Sequence, residues 1–166
     1  MHNKGQGSFG CVYLVFHQEE GVVATKIMKP EKFDKREWDA AIQLTKQGKN
    51  IYVLQYLSYS PQNSYVKMFM KYANMKTLSS IIENTDKFLP LYINRALMKQ
   101  ILEGMRVFHI AGLIHRDIKC DNILLHCPPG SGRVHAKISD FGFAKKENVN
   151  IIDIQHQSLD MFINPP

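Results

Sequence analysis

Gly5-Gln6-Gly7-Ser8-Phe9-Gly10 spaces three glycines so that backbone amides can approach an anion closely, and Lys26 puts an ammonium near the end of an apolar run, Val22 to Met28. Both features suit phosphate. The spacing Gly-x-Gly-x-x-Gly also occurs in dinucleotide sites, but those need a helix after the glycines, whereas Cys11 to Phe16 is β-branched and aromatic. A Walker loop ends in Gly-Lys-Ser/Thr, and this one ends Gly10-Cys11-Val12. What remains is a glycine loop that joins two antiparallel strands and folds over phosphates from above. Read alone, Lys26 is equally an edge-strand lysine reaching for water, and the loop before it tips the reading towards phosphate. Farther on, His115-Arg116-Asp117-Ile118-Lys119-Cys120-Asp121-Asn122 crowds carboxylates, cations and an amide together, and Asp140-Phe141-Gly142 follows.

Taken in this order, the glycine loop, Val23-Ala24-Thr25-Lys26, the His115 to Asn122 run and Asp140-Phe141-Gly142 resemble the protein kinase family. The resemblance covers nearly the whole chain. It implies ATP and Mg2+ as cofactors, with Gly5, Gly7 and Gly10 over the phosphates and Lys26 anchoring them. Asp117 then accepts the proton of the substrate hydroxyl, Lys119 balances charge on the moving phosphoryl group, and Asn122 and Asp140 hold magnesium. Val12, Ala24 and Leu124 would sandwich the adenine ring, although plain core packing buries the same residues. Met70 falls at the gatekeeper place, and Lys71 to Ala73 at the hinge where main chain meets the base. Lys119, two residues after Asp117, resembles the serine/threonine branch, so the implied partner is a protein substrate with a Ser or Thr hydroxyl. His115 and Phe141 resemble members of a regulatory stack between two lobes; Ala41, where a larger apolar residue is common, predicts a loose stack. Arg116 is the position that grips a phosphate on the activation segment, where Ser158 is the hydroxyl available after Gly142.

The resemblance also implies a glutamate on the following helix that holds Lys26, and Glu37 is the candidate; Ala40, Ala41 and Leu44 follow it at helical spacing and place it on the inward stripe. The competing role is the N3 residue of a capping box begun by Asp34, and the ion pair with Lys26 is preferred over it.

The elements that must position these residues follow from pattern. Cys11 to Phe16 and Val22 to Met28 read as a hairpin, Asp34 caps a helix to about Lys46, and Ile51 to Tyr59 and Ser64 to Tyr72 read as strands joined at Ser60-Pro61-Gln62-Asn63. A short helix near Leu78 to Asn84 precedes a long one starting with Pro90 at N1. In that helix Ile93, Leu97, Gln100, Ile101, Gly104 and Phe108 recur on one face, and Gly112 ends it. Ile123 to Leu125 and Val134 to Ile138 form a hairpin around Pro128 to Gly132.

The expected fold is α+β and two-lobed, like a protein kinase: a β-rich lobe with one helix over residues 1–73, then the first part of a mainly helical lobe over 74–166. The reading expects incompleteness at both ends, since Met1 to Lys4 leaves almost nothing of a first strand and Phe162 to Pro166 lies where the family has Ala-Pro-Glu. Ser158 or Leu159 stands where a threonine is expected. Three functions therefore compete: an active serine/threonine kinase, a nucleotide-binding regulatory module, and a truncated fragment whose exposed apolar surface needs a stabilising partner.

Composition narrows the rest. The net charge of +6 is dispersed, which speaks against nucleic acid as a partner. No apolar run approaches the roughly 18 residues of a membrane span, so no membrane association is expected. Three cysteines, Cys11, Cys120 and Cys127, form no paired framework and suggest a reducing, cytoplasmic setting. His115, Cys120, His126 and Cys127 lack Cys-x-x-Cys spacing, and no structural metal is expected.

Overall fold

The computed structural model describes residues 2–7, 10–48, 50–83 and 89–146. Five antiparallel strands come first: β1 (His2–Gly7), β2 (Gly10–His17), β3 (Gly21–Met28), β4 (Tyr56–Pro61) and β5 (Val66–Lys71), in the spatial order β1-β2-β3-β5-β4. Gly21 turns the chain between β2 and β3 at φ +70°, a conformation that a side chain would strain. Cross-strand register sets the chemistry of the sheet. Val12 lies opposite Lys26, Leu14 opposite Ala24, Ala24 opposite Met70, Lys26 opposite Met68, and Tyr56 opposite Met70. Paired residues share a face, so these side chains line one side of the sheet.

Between β3 and β4 runs α1 (Lys35–Lys46), after a 3-10 turn at Pro30–Lys32. Asp34 caps it, accepting from the Arg36 amide at 2.9 Å, and Glu37, Ala40, Ala41 and Leu44 form its buried face. The second half holds α2 (Leu78–Glu83), α3 (Leu91–Ile110), β6 (Leu113–Ile114), β7 (Ile123–His126), β8 (His135–Ile138) and β9 (Lys145–Lys146). β7 and β8 pair as a hairpin, and β6 pairs with β9. This is the two-lobed α+β arrangement that the sequence led us to expect. One core cluster runs through both halves, from Ala24, Met68 and Leu44 to Phe108, Ile138 and Phe141. Along α3 the inward stripe includes Gly104, Val107 and Phe108, while Leu91, Tyr92, Met98, Leu102 and Ile110 are exposed. Among the described residues no helix is long and apolar enough to cross a membrane.

Several expectations need correction. Residues 51–55 are not the start of a strand in the first sheet. Backbone bonds of Tyr52 and Leu54 go instead to β8, with the Ile138 amide donating to Tyr52 O at 2.9 Å and the Leu54 amide to Ile138 O at 2.8 Å, and only Gln55 O turns to the first sheet, accepting from the Lys71 amide. The strand begins at Tyr56 and runs through Pro61, so the turn shifts to Gln62–Tyr65, closed by the Gln62 amide on Tyr65 O. Pro90 is the N-cap of α3, not N1: its ψ of 144° is extended, and its carbonyl accepts from the Ile93 and Asn94 amides. Val134 lies outside β8 because its carbonyl is taken by the Gln100 side chain. A first strand does form, since β1 uses the glycine run itself to pair with β2, with a register shift between Asn3 and Gly5.

Candidate active site

β3 carries Lys26 and α1 carries Glu37, and the sheet face and the buried helix face bring them together. Lys26 Nζ lies 3.4 Å from Glu37 Oε1 and 3.3 Å from Oε2. Glu37 is only 4% exposed. It does not reach back to close a capping box; Asp34 caps alone, and the Glu37 carboxylate turns inward. A third group completes this cluster. The Tyr56 hydroxyl, from the first residue of β4, donates to Glu37 Oε1 at 2.7 Å. Burial first, and the Glu37 carboxylate second, hold the Tyr56 phenol well above its ordinary pKa, so it remains a donor.

The segment between β6 and β7 positions the second cluster. A 3-10 turn at Cys120–Asn122 follows Lys119 and closes through the Asn122 amide on Lys119 O at 2.9 Å. Asn122 is buried, and its Nδ2 donates to Asp117 O at 2.9 Å and to Asp117 Oδ2 at 2.8 Å. Ser139 fixes Asn122 from behind, its Oγ and its amide both donating to Asn122 O. Lys119 Nζ reaches the same Asp117 Oδ2 at 2.9 Å. The Lys119 ammonium holds the Asp117 carboxyl below its ordinary pKa against the opposing effect of burial, with the Asn122 amide assisting. Asp117 is therefore ionised at neutral pH and able to accept a proton.

Below these clusters the rings of Tyr56, Phe141, Phe108 and His115 interlock, with centroids 4.9 Å apart for Tyr56 and Phe141, 5.3 Å for Phe108 and Phe141, and 5.2 Å for Phe108 and His115. The stack is not loose. Phe141 and His115 are fully buried, because Tyr56 supplies a large ring that Ala41 does not. His115 Nε2 bonds Ser139 O at 3.0 Å, and its Nδ1 accepts from the Asp117 amide at 3.3 Å, so one ring braces the backbone on both sides of the site.

Arg116 and Asp140 both adopt positive φ, +67° and +62°. These conformations are costly for non-glycine residues and persist where the surroundings enforce them. Arg116 Nε donates to Phe143 O at 2.7 Å, which joins this segment to the chain after Asp140. Lys26, Glu37, Asp140, Arg116, Gly142 and Phe143 line one open cleft of about 740 Å³.

The other sequence candidates are placed less tightly. Ala24, Met70 and Ala73 are buried, Val12 and Leu124 half-buried. Val12 and Ala24 share the sheet face of Lys26, and Leu124 bridges to Thr77 from β7. Lys71, at the end of β5, ion-pairs with Glu20, and its amide donates to Gln55 O. Gly5, Gly7 and Gly10 lie on β1 and β2, with Gly7 opposite Gly10. Ser158, Leu159 and the run from Phe162 to Pro166 lie outside the described residues. Sequence reasoning passed over Tyr56 and Ser139. Tyr56 sat inside an apolar strand pattern, where a tyrosine reads as core, and no local spacing links it to Glu37.

A divalent cation fits the donor set. Both uses of the Asn122 amide nitrogen point at Asp117, which leaves the harder Oδ1 for a metal, and Asp140 offers a carboxylate. Among the described residues no three His, Cys, Asp or Glu side chains gather into a metal cage. A cation here would share its coordination with substrate phosphates, as magnesium commonly does. The family model described as the protein kinase domain matches residues 1–156.

Proposed function

The chain belongs to the protein kinase family, and from that premise we propose that it transfers the γ-phosphoryl group of ATP to serine or threonine hydroxyls of protein substrates. The observation that carries this reading is the convergence on Asp117 Oδ2 of Lys119 at 2.9 Å and Asn122 at 2.8 Å. In this reading Asp117 orients the substrate hydroxyl and takes its proton. Lys119 leaves Asp117 to meet negative charge as it develops on the transferring group, and Lys26, steadied by Glu37, binds the ATP phosphates. Gly5, Gly7 and Gly10 supply amides above them. Val12, Ala24 and Leu124 enclose the adenine, with Met70 behind it and the main chain through Ala73 beside its edge. Asn122 and Asp140 are the magnesium ligands, and the metal, when bound with ATP, neutralises phosphate oxygens. Lys119, two residues after Asp117, supports serine and threonine as acceptors, and the unpaired cysteine pattern supports a cytoplasmic setting.

Thermal melting with and without Mg-ATP tests the nucleotide site, and a γ-phosphate transfer assay on the parent and on Asp117→Ala tests the chemistry. The expected result is a rise in Tm with Mg-ATP in both proteins, and a fall in transfer of roughly 10²- to 10⁴-fold in the variant. Equal transfer by parent and variant would refute the role of Asp117.

A further inference from the structure

Tyr56 belongs to none of the functional assignments above, yet its side chain touches two of the groups on which they depend. Its hydroxyl donates to Glu37 Oε1 at 2.7 Å, the shortest bond that carboxylate makes, while the Lys26 contacts are 3.3 and 3.4 Å. Its ring lies 4.9 Å from that of Phe141, the residue next to Asp140. Tyr56 is 5% exposed and Glu37 4%, so water does not compete for this bond. Resting on the kinase reading, we propose that Tyr56 is a positioning residue: its hydroxyl fixes the Glu37 carboxylate that steadies Lys26, and its ring ties that carboxylate to the seating of Phe141.

The argument is one of degrees of freedom. A glutamate has three rotatable torsions, and α1 restrains only the first of them closely. With Lys26 as its sole partner, the carboxylate could follow the flexible lysine into several arrangements. A donor fixed on the sheet removes that freedom, because Tyr56 is held opposite Met70 in the β4–β5 ladder. The far end of α1 is held independently, where the Gln43 side chain donates to the Ala111 carbonyl. Helix and sheet therefore meet at the phosphate anchor through a short, dry hydrogen bond. The same ring closes the aromatic stack down to His115, so a displacement of Phe141 removes the support beneath the hydroxyl. Phenylalanine at this position would keep the stack and lose the anchor, which makes the two contributions separable.

Steady-state kinetics on Tyr56→Phe, Glu37→Ala and the double variant test the proposal. In Tyr56→Phe the KM for Mg-ATP rises roughly tenfold while the KM for the protein substrate stays at the parent value, as expected for loss of a hydrogen bond to a charged group. In the Glu37→Ala background the same substitution changes neither, because its effect passes through Glu37. An unchanged KM for Mg-ATP, equal changes in both KM values, or full additivity with Glu37→Ala overturns the positioning role. A parent chain that neither binds Mg-ATP nor transfers phosphate fails differently: it overturns the kinase reading itself, and the role of Tyr56 falls with it.

Discussion

At the scale of single residues, His115 shows how one side chain couples protonation to architecture. Its Nε2 donates to the Ser139 carbonyl and its Nδ1 accepts from the Asp117 amide, and the neutral ring alone can do both. Burial, the leading cause, depresses its pKa below the ordinary 6.5, against opposing effects from the Ser139 bond and the nearby Asp140 and Asp117. A depressed value means that the unfolded chain binds the proton more readily than the folded one. The stability contributed by neutral His115 is thus present above 6.5 and lost as pH falls through the folded-state value. Tm should therefore decline from about pH 7.5 to about pH 5.5, and His115→Phe should lower Tm at the upper end but flatten the decline. Equal slopes in the two proteins would show that another group carries the dependence. The His115 to Asn122 run was legible as a motif. The neutral tautomer was not, since it depends on the carbonyl of Ser139, just after β8 and distant in sequence.

At the scale of elements, α3 and α1 show where pattern reading works and where it stops. The stripe of α3 was readable from spacing alone, Gly104 included. Why a glycine stands there was not. A Cβ at Gly104 would fall 2.7 Å from Ile138 Cδ1 and 3.0 Å from Tyr52 O, so its absence lets the helix lie directly on β8 and on residues 51–55. Gly104→Ala should destabilise the fold by about 1 to 3 kcal/mol in urea unfolding, despite alanine's better helix propensity. A neutral or stabilising result would mean that Ile138 and the Tyr52 backbone yield without strain. In α1 the periodicity put Glu37 on the inner face but left two partners open. Its choice of Lys26 and Tyr56 over the cap required the sheet to be folded. Residues 51–55 were misread because an apolar run of strand formers says nothing about which neighbour takes its hydrogen bonds.

For the molecule as a whole, the binding of residues 51–55 to β8 joins the sheet-rich half to the half that carries Asp117. Two backbone bonds do this, Leu54 N to Ile138 O and Ile138 N to Tyr52 O, beside the Lys137 side chain that donates to Ile51 O and the buried Val53, Leu54 and Ile138 side chains. The two amides should therefore open together. Native-state hydrogen exchange should give Leu54 and Ile138 opening free energies equal within about 1 kcal/mol, and Ile138→Ala should lower both. Independent exchange would show that the halves open separately. The sequence by itself determined the chemical inventory and the order of elements, because glycine spacing, apolar periodicity and the His115 to Asn122 run are local properties of the chain. The tertiary structure decided which of those groups share a carboxylate, which ring closes the stack, and which strand receives residues 51–55. Those outcomes depend on contacts between positions distant in sequence, such as Tyr56 with Glu37 and Ile138 with Tyr52, and no local pattern encodes them.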